Sequence, residues 1–126
     1  MITASIVLYN ERYDTLKKTV DSFLKLSIKK KIFLIDNSPT NKLESLFKDK
    51  EIEYIFVNDN LGFGRGHNLV LESLDSDFHL ILNPDVVFLD DVILNLINKL
   101  RGEENVSFIT PKVLYPNGDL QFICRK

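Results

Sequence analysis

The chain of 126 residues contains one cysteine, no tryptophan and no long apolar run. Cys124 cannot form an intramolecular disulfide because no second cysteine exists, so an oxidising compartment is not required. No apolar stretch approaches the roughly 18 to 20 residues that span a bilayer, and no basic segment precedes the first apolar run. We therefore expect neither a signal peptide nor a membrane helix, and we expect a cytoplasmic location.

The chain also has no large excess of charge of one sign. Its formal net charge is -2 and its pI is near 5.7, so it has no general attraction for nucleic acid or anionic lipid. Hydrophobic residues make up 44% of the sequence and charged residues 27%, which is typical of one soluble domain with its own core. We expect a single domain over residues 1–126 that holds any anionic ligand by local contacts.

Short β-rich runs alternate with segments of helical period. This alternation predicts an α/β fold with a mostly parallel, Rossmann-like sheet flanked by helices. The predicted strands are near-continuous apolar runs, as expected when both faces of a sheet are covered. They cover residues 4–9, 31–36, 53–57 and 78–82.

Helices are predicted between the strands and after the last one. Their apolar residues recur at helical spacing in a helix after Asp14, a shorter one around residues 43–47, a third over roughly 65–74 and a fourth over 90–100. Asp90 is the predicted N-cap of the fourth helix and Gly102 its C-terminal stop. Beyond it, a strand is predicted at 106–110, and then a hairpin across 116–118.

Polar side chains follow all four predicted strands. Ligands of open α/β sheets bind beyond the carboxyl ends of the strands. Asn, Asp, Ser and Pro are also common turn residues, so the polar residues after any single strand, here called its exit, are more simply explained as a turn than as a site. Their coincidence at one edge favours a site. The exits carry Tyr9, Asn10 and Glu11; Asp36, Asn37 and Ser38; residues 58–68; and Asn83, Pro84 and Asp85.

Asp85 is the predicted metal ligand. Pro84 fixes its own φ and favours extended geometry at Asn83, so Asn83 and Asp85 should project from a stiff turn. Magnesium often takes only one or two oxygens from protein and the rest from phosphate and water. Asp75 and Asp77 form a literal Asp-x-Asp, but they precede the fourth strand, at the opposite edge of the sheet, and are predicted to lie in a solvated loop.

The segment NLGFGRGHN, residues 60–68, contains three glycines. Its G-x-G-x-G spacing and its place after the third strand differ from a dinucleotide fingerprint, and the chain has no P-loop motif, which disfavours an oxidoreductase or a P-loop NTPase. The glycines allow close approach of backbone to a ligand, and Arg65 or the helix N-terminus could meet an anion; a flexible loop is the alternative. His67 and His79 share no partner that the sequence identifies and are predicted to be structural.

Five motifs in order are SIVLYN, IFLIDNSPTN, NLGFGRGHN, LILNPDVVF and PKVLYPNGDLQ. They resemble the nucleotide-sugar half of the inverting family-two glycosyltransferases with the GT-A fold, and among these the bacterial rhamnosyltransferase type. The resemblance spans nearly the entire chain. It implies a dTDP- or UDP-linked sugar donor, a glycan or lipid-linked acceptor and a role in polysaccharide biosynthesis. It places the enzyme at the cytoplasmic side, with peripheral membrane association left open for a full-length protein.

The resemblance also implies roles for single residues. Asp36 corresponds to the acid that hydrogen-bonds the pyrimidine ring. Asp85 corresponds to the metal-binding acid of the D-x-D motif, which implies Mg²⁺ or Mn²⁺, and Asn83 stands where many members have the first aspartate. The implied nucleotide-binding residues are Tyr9, Asn10, Asp36, Asn60, Gly62, Arg65 and Asn68.

The sequence does not identify a general base. An inverting displacement needs one beside the acceptor hydroxyl, and beyond Asp91 the only acids are Glu103, Glu104 and Asp119, of which Asp119 is a weak candidate. We therefore expect the chain to be the donor-binding part of a longer enzyme. A nucleotide-binding module without chemistry stays open, as does a nucleotidyltransferase of related fold, although LYNERYD lacks the glycine expected after the first strand of such an enzyme.

Overall fold

The computed structural model of the chain describes residues 1–122, and Cys124 lies outside them. The chain divides into two compact units, Met1–Asp90 and Asp91–Lys126. No helix within residues 1–122 combines the length and the apolar character needed to cross a bilayer.

The first unit contains a four-stranded sheet in which every neighbouring pair is parallel. Its strands are β1 (Ile2–Leu8), β2 (Lys30–Asp36), β3 (Ile52–Phe56) and β4 (Phe78–Leu82), in the order β3-β2-β1-β4. Helix α1 (Tyr13–Leu24) connects β1 to β2, and helix α2 (Gly62–Leu71) connects β3 to β4. The predicted α/β class with a parallel sheet is confirmed.

The core lies on both faces of this sheet. Val70 of α2 packs with Phe33 and Ile35 of β2. Because strand side chains alternate, Ile32 and Leu34 point to the other face, and both are fully buried. The crossovers through α1 and α2 run in opposite directions across the sheet, so the right-handed rule places the two helices on opposite faces. The buried residues of α1 are Leu16, Thr19, Val20, Ser22 and Phe23.

The strand order reverses at β1. From β1 the chain moves first to β2 and β3 on one side, and later to β4 on the other side. Ligands of open α/β sheets bind at such a switch point, beyond the carboxyl ends of the strands. The residues that follow β1 and β4 there are 9–11 and 83–85, which makes this edge the place to look for a site.

Gly66 lets α2 approach β1 closely. A Cβ at this position would lie 2.6 Å from Val7 Cγ2 and 3.0 Å from Val7 Cγ1, and valine is stiff at χ1. We expect Gly66→Ala to lower the free energy of unfolding by about 1 to 3 kcal/mol, measured by urea denaturation. Gly64→Ala is the matched control, because nothing lies within 4 Å of its Cβ position; alanine there should leave stability unchanged or raise it by up to about 1 kcal/mol. Equal stability of the two variants would contradict the close approach.

Two predicted elements differ from the structure, and a third is present in a short form. The shorter helix around residues 43–47 is only a 3₁₀ turn, Glu44–Leu46, because its few apolar residues do not sustain a longer helix. The strand predicted at 106–110 is absent from the described part of the second unit. The predicted hairpin across 116–118 is present but short: an isolated antiparallel bridge joins Leu114 and Leu120, and the Tyr115 and Gln121 N–H groups donate to the carbonyl oxygens of Asp119 and Val113 at 2.8 and 2.9 Å.

Helix α3 (Asp90–Arg101) lies in the second unit except for its first residue. Its end agrees with the prediction, because the Gly102 N–H donates to the carbonyl oxygens of Asn98 and Lys99 at 3.3 and 3.1 Å. Asp90 is already the first helical residue, so its prediction as the residue preceding the helix is wrong by one position. Gly118 has φ 92° in the turn inside the Leu114–Leu120 bridge, which glycine adopts without strain.

Candidate functional site

Hydrogen bonds join the exits of β1 and β2. The Asn10 N–H donates to Ser38 Oγ at 2.8 Å, and the Asn37 N–H donates to the carbonyl oxygen of Leu8 at 2.9 Å. Asn10 has φ 52°, a left-handed conformation that asparagine tolerates better than most residues. The chain therefore turns sharply after β1 and is held against the exit of β2.

The glycine-rich segment lies beside the same two exits. The Asn37 Nδ2 donates to the carbonyl oxygen of Gly62 at 3.3 Å, and the Gly62 N–H donates to Asn60 Oδ1 at 3.2 Å. Gly62 has φ 77°, and α2 begins there without a side-chain cap. The N-terminal turn of α2, with its backbone N–H groups and the positive end of its dipole, is thus placed at the carboxyl edge of the sheet.

The exit of β4 is fixed by α1. Thr19, which is fully buried, donates its Oγ1 hydrogen to the carbonyl oxygen of Pro84 at 2.8 Å. Asn83 and Asp85 on either side of Pro84 are exposed. Two exposed, oxygen-bearing side chains therefore flank a residue whose carbonyl oxygen is held by α1.

The exits also act on one another electrostatically. Burial raises the pKa of Glu11, a hydrogen bond with the Tyr9 backbone opposes this, and the charges of Asp85 and Asp36 raise the pKa further. Carboxylates that follow β1, β2 and β4 thus contribute to one negative region. Within residues 1–122, no three His, Cys, Asp or Glu side chains are grouped to hold a metal ion. A cation at Asp85 would need further oxygen ligands, and phosphate and water supply these in many magnesium sites.

Asp36 is buried, and both of its carboxylate oxygens have partners. Oδ1 accepts the Ser38 N–H at 2.9 Å, and Oδ2 accepts a short hydrogen bond from the Tyr54 hydroxyl. Burial raises the pKa of Tyr54, and the Asp36 carboxylate raises it further, so the phenol keeps the proton that it donates. Asp36 therefore holds Ser38, and through it Asn10, in place beside β3.

Asn37 is a candidate site residue that the sequence does not distinguish from an ordinary turn residue. Its side chain is only 2% exposed, and its Oδ1 has no hydrogen-bond partner among the described residues. A buried oxygen without a donor costs about 1 to 3 kcal/mol, so an N–H group of a ligand would complement it. The only signal in the sequence is its place directly after Asp36.

The other predicted nucleotide-binding residues lie at the same edge or on α2. Hydrogen bonds bring Asn10, Asn60 and Gly62 together with Asn37 and Ser38. Tyr9 is 50% exposed at the end of β1. Arg65 and Asn68 are exposed on the first two turns of α2.

Asp77 lies away from this edge, and Asp119 belongs to a turn. Asp77 accepts a hydrogen bond from the amino group of Met1 at 2.9 Å, which places it at the amino end of β1, as predicted for the Asp75–Asp77 loop. Asp119, the weak candidate for a general base, accepts a hydrogen bond from Asn117 Nδ2 at 2.8 Å within its own turn.

The two histidines are buried or half-buried, and they do share a partner. His67 Nδ1 and His79 Nε2 both lie at hydrogen-bond distance from Ser5 Oγ, at 2.7 and 2.8 Å. The expectation of no shared partner is therefore wrong, because residues far apart in sequence meet on β1.

Together, the parallel sheet and its polar carboxyl edge define an α/β protein with a candidate ligand site at the switch point. The chain belongs to glycosyl transferase family 2, whose model matches residues 3–122. The search of curated proteins found no match.

Solved structures of S. aureus TarS have a similar fold. The structure described as TarS has a TM-score of 0.65 at 14% identity, over 80% of this chain and 19% of that one. TarS 1-349 has a TM-score of 0.68 at 12% identity, over 88% of this chain and 38% of that one. TarS 1-349 in complex with UDP has a TM-score of 0.67 at 12% identity, over 93% of this chain and 42% of that one. The chain thus spans less than half the length of these structures.

Proposed function

We propose that the chain is the donor-binding part of a glycosyltransferase that binds a pyrimidine nucleoside diphosphate sugar, linked to UDP or dTDP. The transfer would proceed with inversion to a glycan or lipid-linked acceptor. The observation that carries the proposal is the buried Oδ1 of Asn37, which has no hydrogen-bond partner within residues 1–122 and lies at the edge where hydrogen bonds join β1, β2 and α2. Family membership supports the reaction class, and the TarS complex with UDP supports the choice of nucleotide.

The base would be recognised at the exit of β2. The ring N–H of uracil or thymine is a donor that matches Asn37 Oδ1. Asp36 stays a predicted contact of the base, because a carboxylate oxygen that already accepts one hydrogen bond can accept another. Tyr9 and Asn10 would border the base and ribose.

The diphosphate would lie between the turn that follows β4 and the N-terminal turn of α2. Asp85, with Asn83 as a neutral oxygen donor, would hold Mg²⁺ or Mn²⁺, which fits one exposed carboxylate and one amide oxygen on a fixed turn. When bound, the cation would stabilise as a Lewis acid the charge that develops on the departing diphosphate. The backbone N–H groups of α2 and the guanidinium of Arg65 would contact phosphate oxygens.

The general base is proposed to lie outside residues 1–122. The base must stand beside the acceptor hydroxyl, on the face of the sugar opposite the leaving diphosphate. Asp119, the candidate that the sequence leaves, is engaged by Asn117 within an exposed turn. Metal-dependent glycoside formation by the purified chain, abolished by Asp119→Asn, would overturn this assignment.

Calorimetric titration with UDP, dTDP and GDP, each with Mn²⁺ and with EDTA, tests the proposal. We expect UDP or dTDP to bind, to bind more tightly with Mn²⁺, and to be preferred over GDP. Binding of the same affinity in EDTA would instead indicate a nucleotide-binding module without metal-assisted transfer. Absence of pyrimidine nucleotide binding under all conditions would refute the proposed function.

Thr19 is expected to set the geometry of the metal turn. Thr19→Val keeps the side-chain shape but removes the hydrogen bond to the Pro84 carbonyl. We expect the increase in UDP affinity on addition of Mn²⁺ to be about three- to tenfold smaller in this variant than in the wild type. This factor corresponds to the loss of one neutral hydrogen bond. Thr19→Ser keeps the hydroxyl and should retain most of the gain. Equal Mn²⁺ dependence in the valine variant and the wild type would contradict the role of Thr19.

A further inference from the structure

A line of hydrogen-bonded side chains runs through the first unit from Ser76 to α2. Ser76 Oγ lies 2.7 Å from Thr3 Oγ1, which lies 2.8 Å from His79 Nδ1. His79 Nε2 lies 2.8 Å from Ser5 Oγ, which lies 2.7 Å from His67 Nδ1. Ser5 on β1 is thus the link between β4 and α2, and it is fully buried.

We expect both imidazoles to be neutral at pH 7. Burial lowers the pKa of His67. Burial lowers the pKa of His79 to about 4, and the nearby His67 contributes to this shift. Each ring therefore carries one N–H group and one acceptor nitrogen.

The single hydroxyl hydrogen of Ser5 couples the two rings. If Ser5 donates to His79 Nε2, it can accept only from an Nδ1–H of His67, and His79 then carries its proton on Nδ1. If Ser5 instead donates to His67 Nδ1, it accepts from an Nε2–H of His79, and His67 then carries its proton on Nε2. In both arrangements Ser5 is paired with the two rings and the histidines have the same tautomer, while Nε2 of His67 has no hydrogen-bond partner among the described residues.

Opposite tautomers leave one hydrogen-bonding group at Ser5 without a partner on the two rings. With two acceptor nitrogens facing Ser5, one of them receives no hydrogen. With two N–H groups facing Ser5, the oxygen accepts both, but its own hydrogen is left without either imidazole as acceptor. A buried hydrogen-bonding group without a partner is costly, so matched tautomers are favoured and the tautomer of one ring biases that of the other.

The three residues lie on β1, α2 and β4, three of the four elements whose ends form the candidate site. Ser5 lies on β1, and Asn10 follows the end of this strand. His79 lies on β4, four residues before Asn83. His67 follows Gly62 on α2, one residue after the glycine that contacts Val7 of β1. A change in one link can therefore shift β4 and the start of α2 relative to β1.

We propose that Ser5, His67 and His79 form a tautomer-coupled junction that positions the metal turn after β4 and the N-terminal turn of α2 for donor binding. They are positioning residues and contact no donor themselves. The part of the proposal that concerns donor binding rests on the proposed function; the coupling of the tautomers does not.

The coupling is tested by NMR of the imidazole nitrogens in ¹⁵N-labelled protein at pH 7. The chain has two histidines, so the spectra contain only two rings. We expect both to be neutral and to show the same tautomer. In Ser5→Ala, which removes the link, the tautomers should no longer match, or at least one ring should become a tautomer mixture. Opposite tautomers in the wild type, or tautomers unchanged by Ser5→Ala, would overturn the junction.

Two variants of His67 test the positioning role. In each variant, a side-chain amide takes the place of a different imidazole nitrogen. His67→Asn places an amide near the Nδ1 position and can keep the bond to Ser5, whereas His67→Gln places its amide near the Nε2 position and loses that bond. We expect the glutamine variant to raise the Kd for UDP with Mn²⁺ about three- to tenfold. The asparagine variant should stay within about twofold of the wild type, although asparagine is the weaker helix former.

The outcomes separate the junction from the proposed function. If the wild type binds no pyrimidine nucleotide, the donor-positioning role fails together with the proposed function, and the NMR result still decides the coupling. If the wild type binds UDP but both His67 variants bind it equally well, the positioning role alone is overturned. Thermal unfolding of both variants shows whether a change in Kd occurs without loss of the folded state.

Discussion

Replacement of Asp85 by alanine is expected to remove most of the metal-dependent gain in affinity for UDP or dTDP. Asp85 is the exposed carboxylate on the turn that Thr19 holds, and Asn83 offers only a neutral oxygen. Without a cation, a carboxylate about 4 Å from a phosphate repels it by on the order of 4 kcal/mol at an effective dielectric near 20. Asp85→Ala should therefore bind nucleotide at least as well as the wild type in EDTA, yet gain little from Mn²⁺.

Calorimetric titration of both proteins with and without Mn²⁺ measures this difference. The double variant Asp75→Ala, Asp77→Ala is the matched control, because it removes the literal Asp-x-Asp at the amino end of β1. It should keep the wild-type dependence on Mn²⁺. Equal dependence in the wild type and Asp85→Ala would refute the metal site. Loss of the dependence in the double variant would move that site to the other edge of the sheet.

The second large effect is expected for Asp36→Asn. The amide has one oxygen where the carboxylate has two, so it cannot accept both the Ser38 N–H and the Tyr54 hydroxyl in their present positions. Loss of a buried, charge-assisted hydrogen bond should weaken pyrimidine diphosphate binding by roughly 1 to 3 kcal/mol. Calorimetry with UDP measures the loss, and an unchanged affinity would make Asp36 a turn residue only.

Asn37→Ala is the companion variant for this experiment. It removes the unpartnered oxygen and leaves the side-chain bonds of Asp36 to Tyr54 and Ser38 intact. A loss of UDP affinity in Asn37→Ala without a loss of stability would assign the base contact to Asn37. If Asp36→Asn loses UDP affinity in proportion to its loss of thermal stability, Asp36 holds the site residues in place and does not contact the base.

The sequence predicts the first unit well because its strands and helices are encoded locally. Near-continuous apolar runs indicate buried parallel strands, and polar residues directly after them indicate the carboxyl edge. Asn10, Asp36 and Asp85 therefore fall at one edge of the sheet, as predicted. Strand order is not encoded in this way, and only the structure shows that β4 pairs with β1.

The failures involve partners that are distant in sequence. Residues 106–110 are apolar enough for a strand, but a strand also requires a neighbour with free backbone groups. That Asn37 Oδ1 lacks a hydrogen-bond partner in the described part of the chain becomes visible only when the contacts of its amide are known. The link between His67 and His79 depends on Ser5, which no local pattern identifies.

The central position of β1 has a consequence for the order of folding. Thr3 and His79 are in contact although 76 residues separate them, whereas β1 and β2 are joined by a single short helix. Non-local pairings carry the larger cost of loop closure and tend to form slowly. We therefore expect β4 to join the sheet after β1 and β2 have paired. The crevice between β1 and β4 would then be completed last, so a donor added during refolding would bind only chains that have closed this final pairing.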